Sequence, residues 1–103
     1  MKWDFVDKHL QELYEKGWSR KYKFVDKPLA KKFVERVSRI ESAISIYDLR
    51  EPPSMQFEAL GGFENRFSIR LDVKHRLEFE INFEDEAKSV GFVKILTVSK
   101  HYE

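Results

Sequence analysis

Three arginines lie in a stretch whose residue pattern places them on one surface. From Arg66 onwards, apolar side chains take the odd positions and polar side chains the even ones, which is typical of half-buried β-strands. Guanidinium groups bind phosphate oxygens in pairs and stay charged at any working pH. Arg66, Arg70 and Arg76 are therefore a candidate phosphate-binding group. The alternative is that Arg70 and Arg76 only pair across the strands with Glu78 and Glu80.

The last five residues carry side chains that can move protons. Ser99 and Lys100 are followed by His101, Tyr102 and Glu103, directly after the last predicted strand. Lysine, histidine and tyrosine can each donate or accept a proton or stabilise a charged phosphate intermediate. Because chain ends commonly fray, this tail indicates a functional site only in combination with other features.

Other kinds of chemistry have no support in the sequence. The three histidines, His9, His75 and His101, have no ligand spacing, so no metal site is predicted. Gly61-Gly62 is not followed by the Lys-Ser/Thr of a phosphate-binding loop. The chain has no cysteine, which excludes disulfides, thiolate zinc sites and thiol catalysis. We expect no cofactor.

Two helices are predicted before the alternating segment. The first spans residues 7–16, with Asp7 as N-cap and Gly17 as the stop. Asp26 caps the second helix, in which Pro28 occupies the first turn. Basic residues are predicted on its other faces, including Arg36. Its apolar stripe consists of Leu29, Phe33, Val37, Ile40 and Ile44.

The remaining segments predict strands. Residues 3–6, 55–60 and 90–98 are further candidates beside the two alternating strands of residues 66–83. Both alternating strands have their apolar residues at odd positions, so the loop between them must have an odd length. Three residues around Val73, Lys74 and His75 would satisfy this. The predicted fold is α+β, with two N-terminal helices packed on one face of a curled, mainly antiparallel sheet of four to five strands.

Length, charge and hydropathy indicate the number of domains and the expected location of the protein. The 103 residues make one domain, spanning 1–103, and 42% hydrophobic residues supply one core. Residues 1–50 carry 12 Lys/Arg and 8 Asp/Glu, whereas residues 51–103 carry 7 and 10, so the halves differ in sign. The N-terminus lacks an apolar signal region, and no apolar run is long enough to cross a membrane. We expect a cytoplasmic protein with no membrane partner.

A series of short motifs follows the second helix in a fixed order. The series is Tyr47-Asp48-Leu49-Arg50-Glu51-Pro52-Pro53, then Leu60-Gly61-Gly62, then Arg66-Phe67-Ser68-Ile69-Arg70-Leu71, then Arg76 opening a strand, then the tail with His101 and Tyr102. In this order the motifs resemble the plasmid-maintenance killer branch of the RelE/ParE toxin superfamily, the HigB-like proteins. The resemblance implies a RelE-like, microbial-RNase-like fold.

The resemblance also implies a function. HigB-like proteins cleave mRNA, usually on the ribosome, by metal-free attack of a 2′-OH on the adjacent phosphate. Carried over by position, Arg70 and Arg76 hold and neutralise that phosphate, His101 is the candidate acid or base, and Tyr102 stacks on a base or relays a proton. Arg66, Lys74 and Lys100 are candidate RNA contacts. Replacement of Arg76 is expected to leave folding nearly intact.

Two departures from the family pattern leave a second function open. Glu58 and Gly61 stand where many HigB-like sequences carry a histidine and a lysine, and Lys-His-Tyr replaces the usual Asp-Tyr-His ending. The alternative is a non-catalytic, ParE-like binding module that acts through protein contact. In both cases the expected partner is a helix-turn-helix, HigA-like antitoxin in a hetero-oligomer. Its acidic segment would bind the basic helix residues Lys31, Lys32, Arg36 and Arg39.

Overall fold

The computed structural model describes residues 1–100. Three helices and five strands follow one another in an α+β arrangement, with short 3₁₀ turns at Arg20–Tyr22 and Pro53–Met55. The elements are β1 (Trp3–Phe5), α1 (Lys8–Lys16), α2 (Lys27–Ser42), α3 (Ile46–Leu49), β2 (Glu58–Ala59), β3 (Arg66–Arg70), β4 (His75–Phe83) and β5 (Gly91–Lys100). The predicted fold class is confirmed.

Local sequence signals determine where α1 and α2 begin and where α1 ends. The Asp7 carboxylate accepts the backbone N–H groups of His9 and Leu10, and so satisfies two donors that have no partner inside the helix. Gly17 ends α1 in the left-handed conformation at φ 74°, which costs a glycine little. Asp26 caps α2 by accepting the Leu29 N–H at 3.0 Å. These three predictions are confirmed.

The apolar stripe of α2 is buried except at its end. Phe33, Val37 and Ile40 are fully inaccessible to solvent, as predicted. Ile44 is 81% exposed, because α2 ends at Ser42 and Ala43 turns the chain into an extended conformation. Including Ile44 in the stripe was therefore wrong. Arg36, predicted on another face, is also buried: it is 9% exposed and its Nε donates to the Arg70 carbonyl at 2.9 Å.

The sheet has the strand order β1-β5-β4-β3-β2, and only β1 and β5 run parallel. In the β3–β4 ladder Phe67 faces Phe79 and Ile69 faces Leu77, so paired residues have the same parity, as predicted. The Leu71 N–H donates to the His75 carbonyl, which leaves a turn of three residues, 72–74. The odd loop length is confirmed, although His75 belongs to β4 rather than to the loop.

The core lies between the helices and the odd-numbered face of β3 and β4. Leu10, Leu13 and the α2 stripe form one buried cluster with strand residues. The strand residues in that cluster include Ile69, Leu77, Phe79, Ile81, Val93 and Ile95. The even-numbered side chains of β3 and β4 therefore point to the opposite side of the sheet.

Candidate functional site

The candidate site is the surface of β3 and β4 opposite the core, called here the arginine face. It consists of the even-numbered side chains Arg66, Ser68, Arg70, Arg76, Glu78 and Glu80. The strand register places Arg70 directly opposite Arg76, and Arg76 pairs on its other side with Ser99 of β5. Two of the predicted phosphate ligands are thus brought together, at the end of the sheet where β5 also ends.

Arg76 is buried and is used to hold the sheet edge together. It is only 8% exposed. Its Nε donates to the Ser68 hydroxyl at 2.8 Å, and its Nη2 donates to the Ser68 carbonyl at 3.3 Å and to the Gln56 carbonyl. Its Nη1 donates to the Gln56 side-chain oxygen at 3.4 Å. These contacts join β4, β3 and the segment before β2, so the expectation that Arg76 carries little stability is wrong.

Arg70 has the same charge but a different environment. Its side chain is half-buried, and within residues 1–100 it makes no hydrogen bond or ion pair. The Arg70 backbone carbonyl accepts a hydrogen bond from the Arg36 side chain. Two guanidinium groups facing each other repel, so this part of the arginine face attracts an anion. Among residues 1–100, no side chain occupies the guanidinium donors of Arg70, in contrast to those of Arg76.

The acidic residues of the arginine face are paired differently from the alternative drawn from the sequence. Arg66 Nε lies 4.0 Å from Glu80 Oε2, and its guanidinium lies 4.1 Å from the centre of the Phe63 ring. Glu58 of β2 lies 3.8 Å from Arg76 Nη2. Among residues 1–100, neither Arg70 nor Arg76 forms an ion pair with Glu78 or Glu80. Cross-strand pairing is thus found at Arg66, and no acidic side chain of residues 1–100 pairs with Arg70.

The two lysines predicted to contact RNA lie near the same end of the sheet, in the β3–β4 turn and in β5. Lys74 is exposed in the turn between β3 and β4. Lys100 pairs in register with His75, and its Nζ lies 4.5 Å from the centre of the Phe24 ring. Phe24 in turn stacks on His75 with ring centres 5.5 Å apart. His75 and Lys100 therefore flank the sheet end on the side of the core, not on the arginine face.

One titratable pair was missed in the sequence. His75 Nδ1 lies 2.8 Å from Asp72 Oδ1, across the turn that connects β3 and β4. Burial by itself would raise the pKa of the Asp72 carboxyl, but hydrogen bonds from the Lys74 N–H and from His75 outweigh it, so the pKa is lowered. The available signal was an aspartate three residues before a histidine at a predicted turn, a pattern that also describes many ordinary turns.

The remaining predicted site residues, His101 and Tyr102, lie outside the described residues. In the part of the chain that is described, no three His, Cys, Asp or Glu side chains are grouped to hold a metal ion. Within residues 1–100, no helix is both long and apolar enough to cross a membrane. The arginine face can thus bind an anion through Arg70, beside the point where the chain continues from Ser99 towards His101.

The fold is shared with a solved structure. The whole chain superimposes on a solved structure, the YoeB/ParE toxin from Agrobacterium tumefaciens, with a TM-score of 0.55 over 99% of this chain and 100% of the other, at 16% sequence identity. At this identity the likeness shows the fold alone, and the fold is that of RelE/ParE-like toxins. No curated protein matches the sequence significantly.

The sequence itself gives the family. Residues 3–93 match the family described as the RelE-like toxin of the type II toxin-antitoxin system HigB. The chain belongs to this family of HigB-like toxins, and the resemblance drawn from its motifs is confirmed. It is a toxin of a type II toxin-antitoxin system, which implies an antitoxin partner.

Proposed function

We propose that this toxin is a metal-free mRNA endonuclease that acts on the ribosome and is neutralised by a helix-turn-helix, HigA-like antitoxin. The proposal is based on the pair of arginines at the sheet end. The Arg70 side chain has no partner within residues 1–100, and Arg76, on the neighbouring strand, is held by hydrogen bonds. Proteins of the family are generally ribonucleases, and this pair supplies the charge that phosphate chemistry needs.

The phosphate would bind first to Arg70. Its guanidinium can donate two parallel N–H bonds to non-bridging phosphate oxygens, and these bonds strengthen as negative charge develops during attack. Arg76 stays in place through its hydrogen bonds to Ser68 and Gln56 and contributes its positive charge from the neighbouring strand. Guanidinium groups keep their positive charge at any working pH. The arginine pair then stabilises charge without transferring protons.

Proton transfer is assigned to the tail. The 2′-oxygen attacks the neighbouring phosphorus and loses its proton, the bond from phosphorus to the 5′-oxygen breaks, and the 5′-oxygen takes up a proton. A 2′,3′-cyclic phosphate and a 5′-hydroxyl result. His101 is the proposed acid or base and Tyr102 the stacking or relay group, because they follow Ser99, which pairs with Arg76. Arg66, Lys74 and Lys100 are proposed as contacts along the bound RNA.

The test is to map mRNA 5′ ends after the toxin is expressed without antitoxin. Wild type should create new ends within coding regions, and purified toxin on ribosomes should cleave equally well after transition-metal ions are removed from the buffer at constant Mg²⁺. Arg70→Ala, His101→Ala and Tyr102→Phe should lower the cleavage rate, the histidine change by about 10²–10⁴-fold. Arg20→Ala is the matched control, since Arg20 is exposed on a 3₁₀ turn outside the arginine face. New ends of equal abundance in all well-folded variants would refute the assignment.

One observation favours a second candidate, a non-catalytic binding module. Glu58 lies 3.8 Å from Arg76, and Glu80 lies 4.0 Å from Arg66, so carboxylates offset two of the three arginines. A face with this charge balance suits a protein surface as well as an RNA backbone. Growth arrest without new mRNA ends in wild type would favour this second function.

A further inference from the structure

A groove of about 600 Å³ lies between the end of α1 and the first half of α2. Its walls are largely apolar and include Trp18, Val25 and Val34. Trp18 is 54% exposed, whereas Val25 is only 5% exposed and belongs to the core. An exposed tryptophan next to a concave apolar surface is the arrangement found at the energetic centre of protein interfaces.

The rim of the groove is positively charged. Lys16, Lys27 and Lys31 line it and are all exposed. Lys16 lies 3.9 Å from Glu12, whereas Lys27 and Lys31 form no ion pair within residues 1–100. In the described part of the chain, Asp26 supplies the carboxylate on the rim, and this carboxylate accepts the Leu29 N–H as the cap of α2. A partner that fills this groove therefore gains by placing acidic residues around an apolar side chain.

We propose that this groove docks an acidic, amphipathic segment of the antitoxin. An apolar side chain of that segment would pack against Trp18 and Val34, and its carboxylates would lie beside Lys27 and Lys31. Beside Trp18 the walls are formed by Val25, Ala30 and Val34, and this aliphatic surface fits an apolar protein side chain. This inference rests on the proposed antitoxin partner and assigns it a surface distinct from the arginine face.

The experiment measures the affinity of the purified toxin for the antitoxin encoded beside it. Trp18→Ala should weaken binding by about 30-fold, the loss typical of an interface hot spot. The double change Lys27→Glu with Lys31→Glu should weaken it by about tenfold, and the association rate should lose much of its dependence on salt. Because both lysines are exposed, this second variant remains informative if Trp18→Ala disturbs the fold.

Two matched controls lie outside the groove. Val73→Ala removes an exposed apolar side chain from the turn between β3 and β4, and Lys88→Glu reverses an exposed charge near β5. Both should bind the antitoxin like wild type. Circular dichroism and thermal unfolding of every variant verify that the fold is retained.

Three other outcomes would contradict the proposal, and they can be distinguished from one another. Wild-type affinity in both groove variants would show that the antitoxin docks elsewhere. If the groove variants instead lose self-association or binding to ribosomal RNA, a second copy or RNA occupies the groove. Absence of any complex with wild type would refute the antitoxin assignment itself, whereas absence of mRNA cleavage by wild type bears only on the nuclease.

Discussion

Arg70 and Arg76 face each other across two strands, and the structure predicts opposite consequences for their replacement. Arg76→Met keeps the aliphatic stem but removes the donors to the Ser68 hydroxyl and carbonyl. Ser68 is 1% exposed, so water does not easily replace them. Each buried acceptor left without a donor costs about 1–3 kcal/mol. Gln56 is exposed and can bond to water, so Ser68 dominates the loss.

Two buried acceptors place the expected loss for Arg76→Met at about 2–4 kcal/mol, since the Ser68 hydroxyl can rotate towards another partner. For a chain of this size the melting temperature should fall by at least about 8 °C. Arg70→Met should change the free energy of unfolding by less than about 0.5 kcal/mol, because its side chain has no partner in the described residues.

The assay is urea unfolding of wild type and both variants, monitored by circular dichroism. mRNA cleavage is measured separately with the same protein preparations. Arg76→Met should lose stability, and Arg70→Met should lose cleavage while remaining stable. If the two variants unfold within about 0.5 kcal/mol of each other, the division between a structural and a ligand-binding arginine is refuted.

Two further predictions concern the core and the turn after β3. Phe33→Ala should cost about 3–5 kcal/mol, because Phe33 is fully buried in the cluster that joins α2 to the sheet; a melting temperature within a degree or two of wild type would contradict this. Since hydrogen bonds lower the pKa of Asp72 in the folded state, its stabilising contribution exists above the unfolded-state pKa and is lost as the pH falls. Asp72→Asn should therefore flatten the decline in stability below about pH 4, and parallel pH profiles of the two proteins would count against it.

Features set by local or periodic patterns could be predicted from the sequence. Asp7, Gly17 and Asp26 act on neighbouring backbone groups, so their roles as helix caps needed no tertiary information. The period of two in β3 and β4 gave the parity of the register and the face on which the arginines lie. Family membership followed from the order of the motifs and is shown by the match over residues 3–93.

Features that depend on distant segments could not be predicted. The parallel pairing of β1 with β5 joins residues that lie some ninety positions apart, for example Trp3 and Val93. The burial of Arg76 depends on the segment around Gln56, which was predicted as a longer strand. Arg36 lies seven residues after Leu29 and four before Ile40, so its spacing places it on the buried stripe of α2. What the sequence could not show is the Arg70 carbonyl, which accepts from its Nε and makes a charged residue acceptable there.

The contact of Glu58 with Arg76 connects the structural and chemical sides of the arginine face. The Glu58 side chain remains 60% exposed, while that of Arg76 is 10% exposed. A mobile surface carboxylate can be displaced by a phosphate at little cost, whereas a buried arginine with several bonds cannot move. Arg76 can therefore keep the sheet edge intact in the free protein and still contribute charge when an anion binds at Arg70. In the proposed mechanism, the negative charge of Glu58 lowers the affinity for that anion but leaves Arg70 and Arg76 in place.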